Sequence, residues 1–178
     1  YEETLNRKEK PKSRFYKTNF RSSFSTPVSE NLYLKKNYKD KIFKSIVESE
    51  LIEKLEFKYS DLPFYFLKFW FEDIYNKPLD LLAEERIFNK LQLERTMFNP
   101  YKKIKLDEIV PSEEDDFFRY SKLHGYVHDE GAAMLGGVSG HAGLFSNSYE
   151  VAVILQAMIQ GGIYNNHRLF KSESFDVF

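Results

Sequence analysis

A glycine-rich segment and a tyrosine motif hold the side chains of this sequence best suited to chemistry. The segment runs from residue 124 to 146 and contains six of the eight glycines and three of the four histidines. Glycine loses the most conformational entropy when it is ordered, so this density predicts positive φ angles or close backbone approach. The segment is therefore a candidate cleft wall, although a packed surface loop remains an alternative. Its candidate cleft-lining residues are His124, His128, Gly136, Gly137 and His141.

The tyrosine motif is Tyr59-Ser60-Asp61, directly before an aromatic stretch that predicts a helix. A phenol with a pKa near ~10 is a poor base at neutral pH and becomes useful only when a positive charge stabilises the phenolate. Tyr59 is therefore a catalytic candidate that needs a cationic partner, and Ser60 beside it is a candidate substrate-binding or cleft-lining residue. Read locally, the motif is a helix cap, in which a side-chain oxygen of Ser60 or Asp61 accepts a hydrogen bond from a backbone N–H.

Other kinds of site fit the sequence less well. His124, His128 and Asp129 have a spacing that suits a metal on a helix, but the glycines disfavour a helix there and the chain has no cysteine. Residues 136–140 lack the lysine of a phosphate-binding loop. The acidic residues 113–116 have the wrong spacing for a calcium loop, so we expect a solvated turn. We predict neither a metal nor a cofactor.

The elements that must position these residues are mainly helical. Apolar side chains recur at three- and four-residue steps over four stretches, and we find no alternating strand of convincing length. Asp40 is a possible cap of the first helix, and the aromatic residues that surround the second predict deep burial. Residues 96–123 are expected to be mainly loop. The predicted helices span 40–55, 61–74, 79–91 and 149–160, the last ended by Gly161-Gly162.

Composition limits the class of protein. The 178 residues suffice for one ordinary domain, and 42% apolar residues with no cysteine exclude a disordered or disulfide-framework protein. A net charge of −1 gives no case for a nucleic-acid partner, and no apolar run reaches the ~18–20 residues of a membrane span. Residues 1–30 are basic and lack periodicity, so we expect an extended arm or loop. The chain begins at Tyr1, so we expect a piece of a longer protein.

Several motifs occur together in a specific order over residues 27–170. They resemble the middle of serine hydrolases of the β-lactamase and penicillin-binding-protein superfamily, in the class C-like branch. The subgroup they resemble is found in Bacteroidetes, often fused behind a family 3 glycoside hydrolase domain. The motifs are Tyr59-Ser60-Asp61-Leu62, Asn76-Lys77-Pro78-Leu79-Asp80, His124-Gly125-Tyr126-Val127-His128-Asp129 and Gly136-Gly137-Val138-Ser139-Gly140-His141-Ala142-Gly143.

The resemblance implies a fold and a chemistry. Residues 31–178 would be the helical middle of the α/β β-lactamase/transpeptidase-like fold, mainly α with long irregular loops and incomplete at both ends. The family transfers acyl groups through a serine, using Ser-x-x-Lys, Tyr-x-Asn and Lys/His-Thr-Gly motifs. Only the second is matched, with Tyr59 as the proton-transfer residue and Asp61 in place of the asparagine. No Ser-x-x-Lys occurs in the 178 residues, so this chain alone is predicted to be inactive.

The resemblance also implies partners and a location: a small acyl or peptide substrate, a linked family 3 glycoside hydrolase domain, and the periplasm or cell envelope. Two alternatives remain open at this point. The parent protein could be a non-catalytic ligand- or partner-binding module derived from the same fold, or the chain could be an unrelated helical domain with a glycine-rich loop. A Ser-x-x-Lys motif before residue 1 would favour the enzyme over the binding module.

Overall fold

A computed structural model describes residues 1–51 and 56–176 and divides the chain into two compact units. The first comprises Tyr1–Asn76 and Asn99–Gly143, and the second comprises Lys77–Phe98 and Leu144–Phe178. About 37% of the residues are helical and 16% lie in strands. In chain order the elements are β1 (Tyr16–Lys17), β2 (Thr26–Ser29), β3 (Leu32–Leu34), α1 (Tyr38–Val47), α2 (Leu62–Tyr75), α3 (Leu79–Ala83), β4 (Met97–Phe98), β5 (Glu113–Asp115), β6 (Ser121–Leu123), α4 (Glu130–Met134), β7 (Leu144–Phe145), α5 (Ser148–Ile159), β8 (Ile163–Tyr164) and β9 (His167–Arg168).

The core of the first unit is built on a small antiparallel sheet of order β1-β3-β2, in which Tyr16 and Thr26 both pair with Leu34. Residues 1–30, expected to form an arm, supply two of its three strands. Tyr16 and Val28 from this segment are almost fully buried against Phe118 and α4. The strands are two to four residues long, so their alternation is too brief to produce a periodic signal in the sequence.

Helix α1 is shorter and begins earlier than the predicted 40–55. It runs from Tyr38 to Val47 with Asn37 at the N-cap, so the prediction of Asp40 as the cap is wrong by about one turn. Asp40 instead lies in the first helical turn, where its charge interacts favourably with the helix dipole. The end of the predicted helix includes residues 52–55, which lie outside the described residues.

Helix α2 begins where the sequence predicted. Its N-cap is Asp61, Pro63 lies in the first turn, and Asn76 ends the helix with φ of +46°. The prediction of deep burial is wrong, because Lys68 is the residue of this helix that is buried. The first unit contacts only part of the circumference of α2, so a series of aromatic and aliphatic side chains stays exposed: Phe64, Phe66, Trp70, Phe71, Ile74 and Tyr75.

The glycine-rich segment is more ordered than the sequence indicated. It contains helix α4 and strand β7, which corrects the expectation that the glycines disfavour a helix there. Asp129 caps α4, because its side chain accepts a hydrogen bond from the backbone N–H of Ala132. The predicted positive φ angles are confirmed at four glycines of the segment: Gly125, Gly136, Gly137 and Gly143.

Residues 96–123 contain a hairpin of β5 and β6 in addition to short turns. The predicted solvated acidic turn is wrong for Asp115, which is buried and accepts a hydrogen bond from Arg119 Nε at 2.5 Å. Arg119 also donates to the carbonyl oxygens of Val127 at 2.7 Å and His128 at 2.5 Å. A buried guanidinium needs such acceptors, and they tie the hairpin to the start of the glycine-rich segment.

The second unit packs α5 against the turn that follows α3. Helix α3 continues as a π-helical turn over Glu84–Phe88, and α5 spans Ser148–Ile159, close to the predicted 149–160. Its core consists of Phe88, Leu91, Leu93, Val153 and Ala157. Within residues 1–51 and 56–176, no helix is both long and apolar enough to cross a membrane.

Candidate functional site

The tyrosine motif lies in an open position at the start of α2. The Tyr59 side chain is 81% exposed. Ser60 Oγ accepts a hydrogen bond from the backbone N–H of Leu62 at 3.2 Å, so Ser60 provides the predicted capping oxygen. The Asp61 side chain makes no capping hydrogen bond. Ser60 therefore has a structural task, whereas the Tyr59 phenol extends into solvent.

A hydrogen-bonded chain of Asp129, His141 and Ser139 crosses the glycine-rich segment. His141 Nε2 lies 3.0 Å from Asp129 Oδ1, and His141 Nδ1 lies 3.0 Å from Ser139 Oγ. A carboxylate only accepts, so Nε2–H donates to Asp129, and in the neutral ring Nδ1 accepts from the Ser139 hydroxyl. Asp129 Oδ1 also accepts from the backbone of Ala132 at 2.6 Å. This single oxygen thus joins the start of α4 to the loop that follows it.

Helix α2 rests on the same segment. The rings of Tyr65 and His141 have centroids 4.3 Å apart. A side chain at Gly140 would collide with the backbone oxygen of Phe64, and one at Gly131 would collide with the Tyr65 hydroxyl. The close approach of α2 therefore explains why positions 131 and 140 require glycine, although neither residue has a positive φ angle.

Gly136 and Gly137 form the turn after α4. Their φ angles are +79° and +80°, which a side chain rarely adopts. The carbonyl oxygen of Gly136 accepts a hydrogen bond from Asn99 Nδ2 at 2.9 Å, and a side chain at Gly137 would collide with Asn99. The turn is fixed by the close fit of Asn99 against the backbone.

The side chains of the other two predicted histidines contact groups other than Asp129, His141 and Ser139. His124 Nε2 lies 2.6 Å from the carbonyl oxygen of Ile109. The His128 side chain is 64% exposed, with Nδ1 3.6 Å from Glu113 Oε2. Within the described residues, no cluster of three His, Cys, Asp or Glu side chains could hold a metal ion.

A cavity of about 490 Å³ opens between α1, α2 and α4. Its wall includes Tyr65 and Leu62 of α2, Gly131 of α4, and Lys41 of α1. Lys41 Nζ lies 2.8 Å from Glu3 Oε2, and this hydrogen bond raises the pKa of Lys41. Of the predicted site residues, neither Tyr59 nor any histidine lines this cavity. His141 packs against the ring of Tyr65, which does line it.

The Tyr65 phenol is the hydrogen-bonding group that sequence reasoning missed. Burial, followed by the nearby Asp129 charge, raises the pKa of Tyr65 well above its ordinary value, so the hydroxyl remains a donor at neutral pH. The structure gives this hydroxyl no hydrogen-bond partner within residues 1–51 and 56–176. No local motif distinguishes Tyr65 from the other aromatic residues of α2, whereas Asp129 could have been recognised as an N-cap before Glu130-Gly131-Ala132.

Comparisons with known proteins give a consistent picture. No family model matches the chain. Over 132 residues the chain is 40% identical to a protein of Escherichia coli K12 named "Putative D-alanyl-D-alanine carboxypeptidase". Proteins of the same name from Salmonella agona and Salmonella typhi are 36% identical over 168 residues. The first match covers 67% of this chain and 30% of the relative, and the other two cover 82% and 39%.

The chain therefore spans about a third of the length of the curated relatives it matches. A continuous match over 82% of the 178 residues includes both Tyr59 and His141 wherever it begins. These relatives support a hydrolase of the penicillin-binding and β-lactamase-like kind.

Proposed function

We propose that the chain is part of a serine hydrolase of the penicillin-binding and β-lactamase-like kind, which transfers an acyl group through a serine outside these 178 residues. The similarity to the carboxypeptidase-named proteins over 82% of the chain carries this proposal. In it, Tyr59 moves a proton between the nucleophile and the leaving group. Asp61 replaces the usual asparagine, so it would accept a hydrogen bond from the substrate where an amide could also donate one.

The geometry around Tyr59 is compatible with this role. Its phenol is exposed, so a cationic partner such as the lysine of a Ser-x-x-Lys motif could approach it and stabilise the phenolate. The helix behind it is held by the contact of Phe64 with Gly140 and by the packing of Tyr65 on His141. In this proposal the glycine-rich segment positions α2, and α2 positions the tyrosine.

Ser139 is not the proposed nucleophile, although it belongs to a chain of serine, histidine and aspartate. A nucleophilic serine must reach a substrate carbonyl, but Ser139 is buried and so is the imidazole of His141. The Asp129 oxygen that binds His141 also accepts the capping hydrogen bond from the start of α4. We assign these three residues to positioning.

The substrate we propose is a small acyl compound or a peptide with a carboxy-terminal D-alanine. The relatives' names contain D-alanyl-D-alanine, which supports this substrate class, and the exposed Tyr59 phenol is open to such a group. As part of the same proposal, the protein works in the periplasm or cell envelope, linked to a family 3 glycoside hydrolase domain.

The test uses the full-length protein with a D-alanyl-D-alanine peptide, a 4-nitrophenyl ester and a chromogenic cephalosporin. Loss of a proton-transfer group typically costs 10²–10⁴ in rate, so we expect Tyr59→Phe to lower kcat about 100-fold or more with little change in KM. The matched control is Tyr149→Phe, which removes another well-exposed hydroxyl and should leave the rate unchanged.

Two results would contradict the proposal. One is a Tyr59→Phe enzyme that turns over at the wild-type rate. The other is turnover by the isolated 178-residue chain, because that would place the nucleophile within it. A parent sequence without Ser-x-x-Lys that still binds these ligands would instead favour the non-catalytic binding module.

A further inference from the structure

A second cavity of the first unit has a basic wall. Its volume is about 570 Å³, and it lies between the early segment 10–18, the turn from β2 to β3, and the end of the loop that leads into β6. Lys10, Lys17, Lys122 and Arg119 line it, whereas Glu30 is the carboxylate in its wall. The early segment belongs to the basic residues 1–30, which were expected to form an extended arm or loop. The fold places part of their positive charge on a concave surface.

No carboxylate of the described residues forms an ion pair with Lys10, Lys17 or Lys122. Lys10 Nζ lies 3.0 Å from the centroid of the Tyr120 ring, and Lys17 Nζ lies 5.4 Å from that of Phe24. Within residues 1–51 and 56–176, none of the three ammonium groups lies within ion-pairing distance of a carboxylate. Arg119 differs, because Asp115 and Glu113 bind its guanidinium. The cavity therefore has three positive charges available to a ligand.

The same wall contains a hydroxyl with no partner. Ser121 Oγ is buried and has no hydrogen-bond partner in the described part of the chain. A buried polar atom without a partner is unfavourable and uncommon. Because Ser121 Oγ is closed off from solvent, it is not among the groups that contact a ligand directly.

The backbone beside Ser121 is also held in an unusual conformation. Tyr120 has a φ of +51°, which is rare for an aromatic residue. Its hydroxyl donates to the carbonyl oxygen of Glu9 at 3.2 Å, and its ring supports Lys10. Such strain persists only when the surroundings fix it. Here the left-handed residue joins the buried Arg119 to the cavity wall at Ser121.

We propose that this cavity binds a small oxyanion ligand, a phosphate ester or a compound with two adjacent carboxylates, through Lys10, Lys17 and Lys122. The shared chemistry is a compact group of about two negative charges whose oxygens accept charge-assisted hydrogen bonds. The proposal rests on this cavity alone and holds whether or not the protein is a serine hydrolase.

Calorimetric titration of the full-length protein with inorganic phosphate and with malonate tests the proposal, and the two probes distinguish a phosphate source from a carboxylate source. We expect saturable binding of at least one probe, weakened about fivefold or more by Lys17→Gln and by Lys122→Gln. The matched control is Lys105→Gln, an exposed lysine that does not line the cavity. It should leave the affinity unchanged.

The proposal is overturned by the absence of saturable binding for both probes. It is equally overturned when Lys105→Gln weakens binding as much as the cavity variants do, because that indicates unspecific attraction by surface charge.

Discussion

At the residue scale, single side chains in this protein fix backbone that would otherwise be free. Arg119 binds the main-chain oxygens of Val127 and His128, and Asp129 caps α4 while it accepts from His141. In the second unit, Glu150 accepts hydrogen bonds from the backbone N–H groups of Glu94 and Arg95. The buried charges of Arg119 and Glu150 are each satisfied by several acceptors or donors, as burial requires.

The Asp115–Arg119 pair predicts a specific acid sensitivity. Burial by itself would raise the pKa of Asp115, but hydrogen bonds from the Arg119 guanidinium and from backbone N–H groups outweigh it and lower the pKa below its ordinary value. A carboxyl with a lower pKa when folded stabilises the protein above its unfolded pKa of ~3.9, and this stabilisation is lost as the pH falls towards the folded pKa.

We therefore expect Asp115→Asn to lower Tm at pH 7 and to flatten the decline of Tm below about pH 4. Thermal unfolding between about pH 2 and pH 7 measures this, with the exposed Asp107→Asn as the control. A Tm profile for Asp115→Asn that runs parallel to the wild-type profile at all pH values would contradict the assignment.

At the element scale, the glycines differ in the reason for which they are required. Gly136 and Gly137 follow α4 in the left-handed region, whereas Gly131 and Gly140 give space to α2. A glycine-rich segment is thus needed here for the turn after α4 and for the close approach of α2. The sequence showed that the glycines were needed but not which neighbour required each one.

Two alanine substitutions separate backbone strain from collision. Gly161 has a φ of +63° and open space around its α-carbon, so Gly161→Ala should cost only the left-handed penalty of about 1–2 kcal/mol. Gly137→Ala has the same penalty and also collides with Asn99, so it should cost distinctly more. Denaturant unfolding of both variants measures the difference in unfolding free energy. Equal losses of unfolding free energy would show that the Asn99 side chain can move aside without an energetic cost.

At the scale of the whole molecule, the described residues leave a series of apolar side chains of α2 exposed. Trp70 is 49% exposed, and it is the single tryptophan of the sequence. Monomeric proteins rarely expose large contiguous apolar patches. The exposed aromatic face of α2 is such a surface.

The fluorescence of Trp70 reports directly on this face. In the isolated 178-residue chain, acrylamide and iodide should both quench the emission efficiently, because the indole is half exposed. Denatured chain serves as the fully exposed reference, and Trp70→Phe provides the background. If iodide fails to quench the emission, Trp70 is covered, and the assignment of an exposed aromatic face to α2 is wrong.

The sequence by itself determined the helices that local signals define. Asp61 with Pro63 marked the start of α2, Gly161-Gly162 marked the end of α5, and glycine density predicted the positive φ angles, because caps, prolines and glycines act through the backbone of their immediate neighbours. The motifs also indicated the hydrolase class that the relatives support.

Only the tertiary structure decided which side chains meet. The pairing of Tyr65 with His141 joins residues 76 positions apart, and the basic cavity collects lysines from segments near residues 10 and 120. It also decided that residues 1–30 enter the core while α2 remains partly exposed. Burial and long-range contact depend on the positions of all neighbours, and the local sequence pattern contains no information about those positions.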